Sequence, residues 1–556
     1  MWLLVVNILL LPAILFSQEV SLSEQNAQFF GFFTLLPPIL AIICAFLTRQ
    51  VLFSLFVGIW NGTFLLSIQN GFQIWDIFQS FSAIPHLIID SMADSANAGI
   101  ILQVLTIGGL IAVIARNGGA VAVAEIVASK GKTPRSAQLL SWFLGLFIFF
   151  DDYASCLITG PVMKTVTDKL KVSREKLAFI VDATAAPISG IVLISTWIGY
   201  ELGVMKDAYA IAGYSDINVY NIFIETIPYR FYNIFILGFI VLIALFNRDF
   251  GPMFKAERNA RHGIIDSSGY QSDQDTSLDP LPGIKMNPWN ALIPILVLIF
   301  SAIIGFWVNG YNTLLADDPQ ALSNLSGYLL LIEVLGNADA GFVIFQAALF
   351  ASFVAFFMSN ITKTISLYDS IKIWVNGAKA LFASAVIILL LAWSMASVIK
   401  ELGTHYYLTA ALKEILNPRL LPTIIFILGF FISFSTGTAF GTMGILIPLT
   451  IPLAVSLAPD MPAITVSSAS AALTGAIVGD HCSPISDTTI LSAVGADCAL
   501  LDHVRTQMPY ALLVMIISIV FGYLGTSFGL SIFLAYVLGF SSLILVLFTV
   551  GKQPNL

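Results

Sequence analysis

The sequence predicts an all-α polytopic membrane protein with about eleven transmembrane helices plus two re-entrant hairpins, arranged as an inverted repeat with broken helices. Three observations predict it. Of 556 residues, 58% are hydrophobic and 10% charged, whereas soluble domains carry about a quarter charged residues. Mean hydropathy is +0.90. Windows of about 18 or more mostly apolar residues recur along the chain, and two further apolar stretches turn back before they can cross.

In chain order, residues 1–28 come first. Trp2 to Phe16 is apolar, short for a span, and followed by Ser17-Gln18-Glu19; it reads as a cleaved signal peptide in preference to the alternative, an extra N-terminal helix, although the basic leader is missing. The N-terminal membrane half, 29–247, has windows near 29–47, 51–68, 97–115, 177–200 and 229–247. A polar loop at 248–288 separates it from the C-terminal half, 289–551, with windows near 289–308, 341–359, 380–398, 464–490, 508–526 and 530–550.

Lys and Arg in short loops set orientation. Arg116, Lys130, Lys132 and Arg135 form one basic loop, Lys164 to Lys176 a second, Arg248 to Lys285 a third, and Lys363 to Lys379 a fourth. These are expected on the cytoplasmic side. The loops at 69–96 and 309–340 have no Lys or Arg, and 201–228 has only Lys206; they are expected outside. The loop at 399–420 is placed outside by alternation alone.

The organisation is clearest at 138–168 and 421–458. The first reads WFLGLFIFFDDYASCLITGPV, an apolar half-span meeting Asp151-Asp152 and turning out at Gly160-Pro161. The second reads FFISFSTGTAFGTMGILIPLTIP, with Ser435 to Thr438 in the corresponding place and Pro448 opposite Pro161. Each is followed by a span carrying breakers, Ala186 to Gly190 in one core (138–200) and Gly479 to Pro484 in the other (421–490). The offset is roughly 285 residues in both comparisons, and the loops before the two hairpins read inside and outside, which makes the repeat inverted. Such repeats place freed carbonyls and half-helix ends around a midplane site.

The run GDHCSPISDTT at 479–489 carries the chemistry. An Asp near the bilayer centre costs about 2.5–3.5 kcal/mol on insertion scales, so its retention there points to a site for an ion or a proton. A poorly solvated carboxylate binds either a proton or a cation, and one group can therefore exchange the two. Hard oxygen ligands suit sodium. The candidates are Asp151, Asp152 and Asp182 in the first repeat and Asp480 and Asp487 in the second, with Thr184, Thr436, Thr438, Ser483, Ser486 and Thr488 as neutral ligands. His481 has two readings, a gate titrating near neutral pH or a buried histidine bonded to a carbonyl. One of Asp151 and Asp152 is expected to cap a half-helix. Ser435 to Thr438 also suits a tightly packed hairpin tip. Trp197 and Trp393 read as packing aromatics, and Asp502, His503 and Arg505 as a solvated boundary. No HExxH occurs among the five histidines, which speaks against an intramembrane metallohydrolase. The four cysteines form no CxxC pair, and nucleic acid is not an expected partner at net charge −8.

GDHCSPISDTTILSAVGADC at 479–498, FFDDYASCLITGPVM at 149–163, VDATAAPISGIVLISTW at 181–197 and HVRTQMPYA at 503–511 together resemble the NhaC-type sodium/proton antiporters. The resemblance spans roughly residues 30 to 550. It implies a secondary transporter of the ion-transporter superfamily in the cytoplasmic membrane, not an enzyme, needing no cofactor beyond the transported sodium and protons. It also implies a scaffold with a moving transport domain, often as a homodimer. Members that resemble malate/lactate exchangers leave exchange of small carboxylates as the alternative.

Overall fold

A computed structural model describes residues 21–48, 50–69, 71–214, 217–264, 280–317, 330, 334 and 337–554. The expected signal segment falls mostly on residues 1–20, outside the described residues. Every described element is helical apart from an isolated bridge between Asp249 and Lys552. Among the described residues, nine helices are long and apolar enough to cross a bilayer, or up to eleven if each of two bent pairs is one span. The chain is an all-α multi-pass membrane protein.

Two runs of six helices share one plan. The first comprises α1 (Ser95–Arg116), α2 (Gly119–Ala128), α3 (Pro134–Phe147), α4 (Asp152–Lys169), α5 (Arg174–Ser189) and α6 (Thr196–Ile211). It is followed by α7 (Phe231–Phe246) and α8 (Gly251–Arg261). The second comprises α9 (Ile387–Leu402), α10 (Thr404–Leu412), α11 (Leu421–Thr436), α12 (Ala439–Leu457), α13 (Pro462–Cys482) and α14 (Asp487–Ala496), followed by α15 (Leu500–Ile517). The correspondence extends to single backbone positions. Gly118 and Gly403, at φ 72° and 66°, begin α2 and α10 in the left-handed conformation that glycine adopts without strain. Asp151 and Thr438 are both extended N-caps, accepting from Ala154 N (2.7 Å) and Gly441 N (3.4 Å). The tips at 148–151 and 437–438 join each hairpin, and the breaks at 190–195 and 483–486 divide each broken helix.

The repeats interlock. Within each, the first hairpin arm packs on the first half of the broken helix, α3 on α5 and α11 on α13. Between them, the second arms exchange partners: α4 packs on α14, and α12 on α6. α4 and α14 run in the same direction, since Cys156 Sγ meets Ser492 Oγ at 3.2 Å and Lys164 meets Asp497 at 2.5 Å. A Cβ on Gly160 would stand 2.7 Å from the Gly495 carbonyl carbon, a backbone approach that glycine alone permits. Gly160→Val is therefore expected to destabilise the protein by about 1–3 kcal/mol, read as an earlier unfolding transition in detergent.

Direction follows from these contacts. α6 is antiparallel to α1, with Gly199 against Gln103 and Lys206 bonded to Asp94 at 2.7 Å. α4 leads toward the face where α1 ends, beside Pro280 and Met286. α12 follows α6 to the opposite face. The two hairpins therefore enter from opposite faces, and the repeat is inverted.

The face where α4 ends gathers the basic loops. Leu281 N donates to Arg116 O (3.1 Å), Arg261 donates to Lys171 O (2.9 Å), and Arg248 donates to Gly551 O (2.8 Å). The 399–420 segment lies beside the helix Leu22–Phe30, whose Asn26 donates to Glu401 O (2.8 Å).

Four sequence expectations change. The stretch 69–96 is not simply a loop; it contains an amphipathic helix, Ile74–Ala93, capped by Gln73 and Asp76. Apolar residues at helical spacing, including Phe78 and Phe81, stay exposed on it. The span beginning at Trp289 continues to Asp317, so the expected loop at 309–340 is helical over 309–317. The polar loop at 248–288 begins with α8, whose Glu257 is fully buried and accepts from Ser173 N (2.7 Å); its 265–279 portion lies outside the described residues. His503, read as part of a solvated boundary, is fully buried.

Candidate functional site

Four helix N-termini meet at one small cavity. It is lined by Asp152 and Tyr153 from α4, Trp197 from α6, Ala439 and Phe440 from α12, and Asp487 and Thr488 from α14. Asp480 from the end of α13 and Ser486 from the second break, with Gly437 and Thr438 from the second hairpin tip, complete the wall. Its volume is about 20 Å³, room for one water-sized sphere. No Lys, Arg or His lines it.

Local sequence explains the convergence. Asp151 caps α4 with one oxygen and accepts from Thr196 Oγ1 (3.2 Å) with the other, so the first tip is tied to the start of α6. Its neighbour Asp152 then faces the cavity. Of the adjacent pair, Asp151 is the cap. Gly437, at φ 67°, lets the second tip turn, and a Cβ there would meet Ile485 O at 2.7 Å. Ser483 Oγ donates to Phe434 O (2.8 Å), holding that tip against the second break. Tyr153 Oη donates to Asp487 Oδ2 (3.2 Å), and the Ser486 and Thr488 hydroxyls are 3.1 Å apart. Trp197, read as a packing aromatic, both packs on Phe440 (ring centres 4.8 Å apart) and lines the cavity.

The twelve sequence candidates divide into three groups. Asp152, Thr438, Asp480, Ser486, Asp487 and Thr488 line the cavity, with Asp151 capping the helix beside it. Thr184, Thr436 and Ser483 do not line it. Thr184 and Thr436 donate to the carbonyls one turn back, Ile180 O (2.7 Å) and Ile432 O (2.9 Å), the common alternative for a helical hydroxyl. Asp182 and His481 belong to a second buried cluster behind α14. There Asp182 Oδ2 accepts from Thr489 Oγ1 (3.1 Å) and Gln507 Nε2 (3.0 Å) and sits 3.1 Å from His503 Nε2. The His481 ring meets Tyr232 Oη at 2.6 Å through Nδ1.

Sequence reasoning missed Tyr153, Thr196, Thr489, His503 and Gln507. Two signals were available: Tyr153 follows the Asp pair directly, and His503 with Gln507 falls in HVRTQMPYA. Among the described residues, no group of three or more His, Cys, Asp or Glu is close enough to hold a metal ion. The cavity carboxylates are spaced around the wall instead of gathered on one point.

The Na+/H+ antiporter family model matches residues 189–526, more than half of the chain, including the second tip, both breaks and three of the four converging N-termini. The chain belongs to the Na+/H+ antiporter family. Another sequence similar to this antiporter-family chain is an uncharacterised protein of Haemophilus influenzae, 32% identical over 530 residues, or 94% of this chain and 95% of its own. Among solved structures, the family member is similar in fold to Neisseria gonorrhoeae MtrF, described within a class of antimetabolite efflux pumps. The TM-score is 0.52 at 15% identity, over 80% of this chain and 83% of that one. It also aligns with the YdaH transporter of Alcanivorax borkumensis, described as having an unusual topology, at a TM-score of 0.49 and 14% identity over 82% and 90% of the two chains. The protein is a membrane transporter.

Proposed function

We propose that the protein is a secondary active antiporter of the cytoplasmic membrane that exchanges sodium for protons by alternating access at the cavity between the two hairpin tips. The observation that carries this reading is a cavity for one water-sized sphere, lined by Asp152, Asp480, Asp487 and the hydroxyl residues Tyr153, Thr438, Ser486 and Thr488 without a basic side chain. Carboxylate and hydroxyl oxygens suit a hard monovalent cation. Protons compete for the same carboxylates, which couples the two fluxes.

Each helix N-terminus carries roughly half a positive charge and so partly offsets the carboxylates around the cavity, Asp151 at the α4 cap included. A bound cation or proton lowers the negative charge that remains.

The convergence of N-termini also favours a second reading, exchange of a small carboxylate, because such ends attract anions. Cavity size and the three carboxylates weigh against a dianion in this conformation. Liposomes with a trapped pH dye separate the readings. An imposed sodium gradient is expected to move protons without any organic acid; a response that appears only when malate or lactate is supplied rejects sodium/proton exchange in favour of anion exchange.

A further inference from the structure

The HVRTQ segment at 503–507 has no part in the cavity, yet its Gln507 joins two separate elements within the buried second cluster. Gln507 Nε2 donates both to Asp182 Oδ2 (3.0 Å) and to His481 O (2.6 Å). One amide nitrogen therefore bridges the first broken helix, α5, to the last turn of α13, at the residue next to Asp480. Thr489, two residues beyond Asp487, donates to the same Asp182 oxygen, and His503 Nε2 approaches it within 3.1 Å. Asp182, Thr489, His481, His503 and Gln507 are all at least 98% buried.

The cluster thus grips the second break from both sides, His481 before it and Thr489 after it. The chain between them, Cys482 to Thr488, is where Ser486, Asp487 and Thr488 turn into the cavity, and Asp480 precedes it directly. The other long-range bonds to this stretch come from the two hairpins: Ser483 Oγ donates to Phe434 O (2.8 Å), Tyr153 Oη to Asp487 Oδ2 (3.2 Å) and Cys156 Sγ to Thr488 O (3.8 Å), whereas the cluster ties its two ends to α5 and α15. A buried hydrogen bond to a carboxylate is stronger than a neutral one, so its loss frees a strand of this kind to shift.

We propose that Gln507 and His503 are positioning residues for cation exchange, holding Asp182 and, through it, the two ends of the second break so that Asp480 and Asp487 face one cavity. This rests on the sodium/proton reading above. It also takes Asp182 out of the set of direct ligands and makes it the anchor of the break.

The test uses the full-length protein and its own Cys482, which is buried at the end of α13, beside His481 and directly before the break. In Gln507→Leu, sodium at half-maximal exchange is expected to rise about tenfold, with maximal rate retained within about threefold. Cys482 should react several-fold faster with a membrane-permeant maleimide, while Cys498, which the cluster does not hold, stays as slow as in the parent. His503→Leu should behave in the same way. His503→Gln, which keeps a donor near the Nε2 position, should restore the parent values. Unchanged half-saturation or unchanged Cys482 labelling in a folded Gln507→Leu protein overturns the proposal. So does an equal rise at Cys482 and Cys498, the mark of general loosening. If the parent shows no sodium/proton exchange, the functional reading fails, while Cys482 labelling still decides whether Gln507 holds the break.

Discussion

Asp480→Asn is expected to lower sodium-driven proton movement in liposomes by about 100-fold or more, the scale of losing a buried charge that a cation must meet. The substitution keeps size and hydrogen-bonding capacity and removes only the charge. Asp480 lines the cavity at the end of α13, between the second tip and the N-terminus of α14. Four helix N-termini already offset part of the carboxylate charge there, so removing one carboxylate weakens the hold on a cation. Stability should move the other way. A desolvated carboxylate is costly in a membrane interior, so the variant is expected to unfold no earlier than the parent. Exchange at the parental rate in Asp480→Asn removes this residue from the coupling site. The same substitution at Asp182 separates roles: there the carboxylate accepts from Thr489 and Gln507, so earlier unfolding is expected along with weaker sodium dependence.

Arg230→Met is expected to destabilise the protein by about 3–5 kcal/mol, because it strands a buried carboxylate. Arg230 Nη2 lies 2.9 Å from Glu201 Oε2, and both side chains are inaccessible to solvent. Its guanidinium also donates to Thr226 Oγ1 (3.3 Å) and covers the Phe223 ring at 5.4 Å. The pair joins α6 to the start of α7. The double variant Arg230→Met with Glu201→Gln should recover much of the loss, since replacing both charges removes the desolvation cost along with the attraction. Thermal unfolding in detergent of the two single variants and the double variant measures this coupling, and additive losses would contradict it. A second buried pair, Lys176 with Asp249, is completed by Tyr510 Oη at 2.6 Å from the same carboxylate and fastens α5 to the segment before α8. Here too the ionic partners sit beside transport elements without lining the cavity.

These contrasts show which side chains could be read in advance. Asp152, Asp480 and Asp487 were legible because a charge in an apolar span needs a reason, and the breakers around them mark where helices open. Asp182 was legible as a buried charge but not as an anchor, since its partners Thr489, His503 and Gln507 lie more than 300 residues away. Thr184 and Thr488 are the same residue type beside similar breaks. One bonds a carbonyl in its own helix and the other faces the cavity, a choice that depends on the surface each helix side presents to its neighbours.

By itself, the sequence determined the membrane character, the helical class, the two hairpins, the two breaks and the near-equal spacing of the halves. Those features are local: apolar run length, Gly and Pro breakers, and capping residues act within a few turns of chain. Tertiary structure decided the rest. The hairpins enter from opposite faces because α4 pairs with α14 and α12 with α6, exchanging partners between repeats. Only that exchange brings four helix N-termini and three carboxylates to one cavity, while Asp182 turns to the cluster behind it. The reason is geometric. Which side of a helix meets which neighbour is set by backbone approach at positions such as Gly160 and Gly495, hundreds of residues apart.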